Sequence, residues 1–328
     1  MGMNAIYGLA AAAVLLLLAA GGWAAYRHLA TPALPPVTDM TPNAPPLSPP
    51  PAGMAVFHLG HSLVNRDMPA MLAQLAHAAG FVAHEHHLQL GWGATLRSHY
   101  DPLVEIPGFD SENATPQHRP AREAIASGAY DAVVLTEMVE LRDAIRWHDG
   151  PAYLHRWVQA IRAARPDTRV YLYETWHGRE DTESWLARLD GDPAALWQGR
   201  LLAPVWADGD AGPVHVIPAG RVLAAFTRAL ARAGGLPGMA DETDLFLREP
   251  DGTLDAVHMN DLGNYLVALT HFAVLYHQAP QGLPHELTRA DGSPADAPSP
   301  EVAALMQGVV WQVVSDLPVT GVQTGAAP

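Results

Sequence analysis

Phe57-His58-Leu59-Gly60-His61-Ser62-Leu63 ends a short apolar run, Met54 to Leu59, with a glycine and places a serine two positions beyond it. The run reads as a buried strand, and Pro69 to Ala79 beyond it reads as a helix. A serine on a tight turn between a strand and a helix exposes its hydroxyl and can use nearby backbone N–H groups to hold an oxyanion. The same pattern also suits an ordinary turn whose serine caps a helix.

Outward from this stretch, strand-like and helix-like segments alternate. Phe81 to Leu90, Asp131 to Glu137, Arg169 to Thr175 and Val214 to Ile217 read as strands. Ala121 to Ser127, Tyr153 to Ala164, Gly220 to Ala233, Leu262 to His277 and Val302 to Val314 read as helices. This alternation predicts an α/β fold with a mostly parallel sheet covered on both faces. The expected architecture is a three-layer α/β/α sandwich, flavodoxin-like in outline, with no internal repeat. Residues at the C-terminal ends of its strands gather where such sheets bind ligands.

A second stretch, Asp255-Ala256-Val257-His258, stands just before the helical pattern that starts at Leu262. An aspartate three residues before a histidine, read here as a loop, can reach the imidazole and fix its tautomer. The other ring nitrogen is then free to take a proton from a serine. The chain order is then Ser62, Asp255, His258. In Gly60-His61-Ser62-Leu63 and Asp255-Ala256-Val257-His258 the sequence resembles the SGNH hydrolases, or GDSL esterases, from about Gly53 to Val322. The resemblance implies the same three-layer fold, Ser62 as nucleophile, and Asp255 and His258 as acid and base. The family's usual acidic residue before the serine is His61 here.

The resemblance also places a glycine N–H of a second block in the oxyanion hole. Gly91-Trp92-Gly93 offers Gly93, with Gly91 as the alternative, beside the N–H of Ser62. Many members have an asparagine in a third block, where this chain has Thr136 and Glu137 after a strand. Thr136 can donate a hydrogen bond; Glu137 can do so only when protonated, and otherwise orients another group. Trp92, Glu137, Trp176 and His177 are candidate pocket residues, with ordinary packing as the alternative for Trp176 and His177. His84 and His86 share a face by strand periodicity, which suits either a metal site or a polar, half-exposed strand. The implied chemistry needs no metal and no cofactor.

The N-terminal part reads differently. Ala5 to Tyr26 is an unbroken apolar run, long enough to cross a bilayer as a helix. It reads as a membrane anchor or as a signal cleaved near Gly22-Trp23-Ala24. Prolines then crowd the chain from Pro32 to Pro51, which reads as a semi-rigid spacer. The expected organisation is an anchor or signal over residues 1–30, a linker over 31–52, a catalytic domain over 53–322 and a tail over 323–328. An anchored domain outside the membrane, in the periplasm or beyond the cell, is expected, with secretion after cleavage as the alternative.

The 328 residues include no cysteine, which excludes disulfides and thiolate nucleophiles. With 19 basic and 34 acidic side chains the formal net charge is −15, which disfavours nucleic acid as a partner. Three functions fit these features. One is a serine esterase acting on short-chain esters, acetyl esters of envelope carbohydrates above all. The others are an O-acyltransferase acting on a polysaccharide and a non-catalytic, membrane-tethered binding module. The polar loop Tyr100 to Pro120 offers no apolar lid of the kind a lipase would need.

Overall fold

The structure is a computed structural model that describes residues 31–180 and 184–323. From Pro36 onward the chain forms one compact unit. Of the segment before it only residues 31–35 are described, and they carry no regular secondary structure. The apolar run Ala5 to Tyr26 lies outside the described residues. Among the described residues no helix is long and apolar enough to cross a membrane.

The first apolar run forms β1 (Ala55–His61), followed by α1 (Asp67–Ala78). Next come β2 (Glu85–Gly91), α2 (Leu96–Tyr100), α3 (Ala121–Ala126) and β3 (Ala132–Leu135). Then follow α4 (Gly150–Ala164), β4 (Arg169–Glu174), β5 (His215–Pro218) and α5 (Ala219–Ala233). A short pair, β6 (Phe246–Arg248) and β7 (Leu254–Met259), precedes α6 (Asp261–Tyr276) and α7 (Pro300–Asp316). The expected strand from Phe81 begins only at Glu85, because Phe81 to His84 close a turn through His84 N–H and the Phe81 carbonyl.

The five strands of the main sheet are parallel and run in the order β2-β1-β3-β4-β5, the order of flavodoxin-like sheets. Alternation along each strand splits the side chains between two faces. Val56, Val134, Tyr171 and Tyr173 join the core formed with α1, α5, α6 and α7. Phe57, Leu59, Val133 and Leu172, buried on the opposite face, lie toward α2 and α4, which are tied together by Trp157 Nε1–H donating to the Leu96 carbonyl. Helix α6 is buried along nearly its whole length, sandwiched within its own layer.

Register brings the C-terminal ends of β1 and β2, which lead to Ser62 and to Gly91-Trp92-Gly93, to the same end of the sheet. His61 pairs with Gly91, so β1 and β2 leave the sheet at the same level, one toward Ser62 and the other toward Gly93. The strand order reverses between β1 and β3, and crevices at such a switch point are where open α/β sheets take ligands.

The proline-rich stretch, read from the sequence as a semi-rigid spacer over residues 31–52, lies against the domain over part of its length. It has no regular structure, yet from Thr38 to Ser48 it is fastened along the domain. Thr38 N–H donates to Gly199 O, Val214 N–H to Asn43 O, and Leu47 N–H to Gly321 O. His215 Nε2–H reaches Pro45 O at 2.8 Å and Arg169 reaches Ser48 O at 2.7 Å. Proline has no N–H, but an extended chain still projects its carbonyls sideways as acceptors.

Candidate active site

Ser62 sits on the turn after β1, where Val64 N–H closes onto His61 O. Gly60 is the residue this turn requires. A Cβ there would lie 2.5 Å from Thr136 Cγ2 and 2.8 Å from Val64 Cγ2. His61 fixes the turn from within. Its Nε2–H donates to the Glu137 carbonyl at 2.9 Å, and its Nδ1 accepts Leu63 N–H at 3.3 Å. Burial lowers the His61 pKa to about 4, although the bond to the Glu137 carbonyl favours the charged form. The ring is therefore neutral at pH 7, with one nitrogen donating and the other accepting.

His99, on α2, grips the same turn from outside. Its Nε2–H donates to Gly60 O at 2.8 Å and its Nδ1 accepts from Gln89 Nε2 at 2.9 Å. Gln89 is oriented in turn by Ala121 N–H, which occupies its oxygen. Burial also lowers the His99 pKa to about 4.

Asp255 and His258 lie on β7, not on the loop expected from the sequence. The turn Pro250-Asp251-Gly252, closed by Gly252 N–H to Glu249 O, folds the chain into an antiparallel β6–β7 pair. Trp176 Nε1–H braces this pair by donating to Val257 O at 2.7 Å. The Asp255 carboxylate takes Val257 N–H and His258 N–H on Oδ1, both at 2.7 Å. Its Oδ2 takes His258 Nδ1–H at 2.9 Å. Burial opposes ionisation of Asp255, but these bonds prevail and hold its carboxyl below the usual range. His258 Nε2 faces Ser62 Oγ at 3.0 Å. The three side chains, far apart in sequence, thus form one hydrogen-bonded chain. In it Ser62 can give its proton to His258 while Asp255 fixes the tautomer.

The chain opens into a cavity of about 920 Å³ lined by Ser62, His258, Asn65, Trp92, Gly93 and Asn264, among others. Gly93 has φ +54°, with open space where a Cβ would stand, and borders the cavity. Gly91, the alternative, does not border it; a Cβ there would lie 2.0 Å from Ile106 Cγ2, so that glycine serves close packing. Trp92 is 54% exposed. Its ring rests on Gly108, where a Cβ would come within 2.3 Å, and its Nε1–H donates to Glu112 at 2.7 Å.

The chain is similar to solved esterase and lipase structures. One is a carbohydrate esterase of family 3 from Talaromyces cellulolyticus, at 17% identity and TM-score 0.37, over 67% of this chain and 95% of that one. Another is described as a GDSL-like lipase from Parabacteroides merdae, at 12% identity and TM-score 0.38, over 72% and 96% of the two chains. A third is a family 3 carbohydrate esterase from Clostridium thermocellum, at 9% identity and TM-score 0.37, over 67% and 94%. No protein-family description and no curated protein matches the sequence.

Several expected site residues lie elsewhere. Thr136 spends its hydroxyl on Tyr173 O at 2.8 Å and its N–H on Leu59 O at 3.1 Å, so it has no donor left for an oxyanion. Glu137 is fully buried and does not border the cavity. Its Oε1 takes Met138 N–H at 2.8 Å and Leu96 N–H at 3.2 Å. Burial raises its pKa to about 7 against the pull of those two bonds. It therefore orients the segment after Gly93. Trp176 and His177 are buried beside a separate small cleft with Glu140, Arg188 and Asp192. Among the described residues no group of three or more histidine, aspartate or glutamate side chains is placed to hold a metal ion. His84 instead pairs its Nδ1 with Tyr276 Oη at 2.6 Å.

Sequence reasoning misses His99, Asn65 and Asn264. Asn65 carries a signal, an asparagine just ahead of a helix, and its Oδ1 does accept Asp67 and Met68 N–H. His99 and Asn264 meet their partners only through the tertiary fold.

Proposed function

We propose that this chain is a serine esterase of the SGNH type, acting on short acyl esters, with acetyl esters of carbohydrates as the substrates. The observation that carries the reading is the hydrogen-bonded chain Ser62–His258–Asp255 opening into the main cavity.

Ser62 Oγ attacks the ester carbonyl as its proton passes to His258 Nε2, and the resulting imidazolium is stabilised by Asp255. The N–H groups of Ser62 and Gly93 face the developing oxyanion. Collapse breaks the bond to the alcohol, which leaves with the proton from His258. Water then attacks the acyl-serine and gives its proton to His258. The acid departs and Ser62 regains its proton.

Two features favour a sugar as the alcohol. The exposed Trp92 face is held in one orientation by Gly108 and Glu112, which suits stacking against a ring. The cavity also carries polar groups, among them Asp67, Asp261, Asn264 and Arg289. The apolar run Ala5 to Tyr26 supports anchoring at the cell envelope, which membrane fractionation of the full chain would test.

The deciding experiment is labelling by a fluorophosphonate together with hydrolysis of p-nitrophenyl acetate. The parent should label and turn over, and Ser62→Ala should lose both while keeping its thermal midpoint. Equal turnover by the two proteins would end the nucleophile assignment.

A further inference from the structure

Asn264 lies in the first turns of α6 and is only 6% exposed, yet its side chain borders the cavity that holds Ser62 and His258. A neighbour sets the orientation of its amide. Asn65 commits Oδ1 to Asp67 N–H at 2.8 Å and to Met68 N–H at 3.0 Å, where α1 begins. This leaves Asn65 Nδ2 to face Asn264, and it donates to Asn264 Oδ1 at 2.7 Å. An amide whose oxygen is occupied in this way must present its nitrogen elsewhere.

Asn264 Nδ2 therefore has donors to offer, and it has no partner among the described residues. It is also not one of the polar atoms sealed away from solvent, so it opens on the cavity. The nearby Asp261 carboxylate is already occupied by Arg289 and by Asp296 N–H. Asn264 remains as a neutral, preoriented donor in that wall.

The position decides which part of a substrate it meets. His258 is the next-to-last residue of the strand that leads into α6, and its Nε2 is the atom that returns a proton to the leaving oxygen. The alcohol therefore departs on the side of His258 and α6. We propose that Asn264 Nδ2 donates to an oxygen of that alcohol, and so selects esters whose alcohol carries a further oxygen acceptor. This rests on Ser62 being the nucleophile of an ester hydrolase. An alcohol lacking that oxygen would leave a nearly buried amide N–H dry, and a site built to hydrogen-bond its substrate discriminates strongly against such analogues.

The test uses the full chain and two acetates, glycerol monoacetate and phenyl acetate, and reads the ratio of their kcat/KM values. Both rates come from one preparation, so the ratio does not depend on the folded fraction. Asn264→Asp keeps an oxygen for Asn65 and replaces the donor by an acceptor, and it should lower the glycerol-to-phenyl ratio about tenfold or more. Asn264→Ser, which retains a shorter donor, should fall between that variant and the parent. A ratio within about twofold of the parent in both variants would overturn the proposal, including the case in which both esters lose rate equally, as an oxyanion donor would require. If Ser62 still labels with a fluorophosphonate in that case, only the role of Asn264 is lost. A parent that neither labels nor hydrolyses either acetate removes the esterase reading and this proposal with it.

Discussion

Asp255 uses its two oxygens for different tasks. Oδ1 closes the turn into His258 through two backbone N–H groups, and Oδ2 fixes the imidazole. This division makes Asp255→Asn informative. The amide oxygen would stay with the two backbone donors, so its NH2 would face His258 Nδ1. That nitrogen would have to accept, which moves the proton to Nε2, where it opposes the Ser62 hydroxyl. Turnover of p-nitrophenyl acetate should fall by about three to four orders of magnitude, with little change in KM, because the wrong tautomer cannot act as base. A loss of less than about tenfold would show that Asp255 closes the turn and does nothing for the chemistry.

Pairs of elements hold Ser62 in place. His61 ties the end of β1 to the segment after β3, and His99 ties it to α2. Replacing His99 by Phe keeps a ring of similar size and removes the donor to Gly60 O. We expect kcat to fall about tenfold with KM within about threefold, and His99→Gln, whose amide can reach the same carbonyl, to recover most of the loss. Loss of kcat without recovery in His99→Gln would make the ring a packing element and not a positioning one. The β6–β7 pair is docked in a similar way. Asn260 caps α6 with its oxygen and donates from Nδ2 to Asp244 O and Phe246 O. Gly263 lets the helix approach closely, since a Cβ there would lie 2.6 Å from Leu245 O and 2.5 Å from Met259 Sδ. Gly263→Ala should therefore push the hairpin off the helix, costing about 1–3 kcal/mol in urea unfolding and lowering kcat as His258 moves from Ser62. A variant as stable and as active as the parent would contradict this packing. The same elements show what the sequence makes legible. Alternating apolar runs predict the parallel sheet because burial on both faces leaves that pattern locally, and Ser62, Asp255 and His258 stand out as candidates because their motifs are contiguous. The third oxyanion donor expected at Thr136 is not, because its hydroxyl is claimed by Tyr173 O, a contact that no local pattern records. Asn264 pairs with Asn65 across 199 positions for the same reason. The β7 strand is a different case, since Pro250-Asp251-Gly252 is a local turn signal that a loop assignment overlooks.

At the scale of the whole molecule, the buried histidines govern the response to acid. Burial lowers the pKa values of His61, His99 and His271 from 6.5 to about 4, and places His58, fully enclosed with both ring nitrogens unpartnered, well below its ordinary value. Each is neutral in the folded protein and takes a proton once exposed. Between pH 6.5 and about 4 the unfolded chain therefore binds more protons than the folded one. The stability these neutral rings contribute is complete above 6.5 and is lost as pH falls toward 4. A shift of this size corresponds to about 3 kcal/mol per ring at the acid end, against a total of about 5–15 kcal/mol for an ordinary domain. Glu137 acts in the opposite sense. Its pKa is raised from 4.5 to about 7, so the folded state holds the extra proton in that window and stability falls as pH rises through it. One carboxyl cannot offset several histidines below pH 6.5. The protein should therefore keep a nearly constant urea midpoint from pH 8 to 7, lose stability steeply below about pH 6, and unfold with uptake of more than one proton. His58→Leu removes two unpartnered ring nitrogens and one titrating group from the core, and should make the acid limb shallower. A urea midpoint that stays flat from pH 7.5 to 5, or an acid limb unchanged in His58→Leu, would mean that the histidines are hydrated or paired in solution and that the acid sensitivity, if any, has another source.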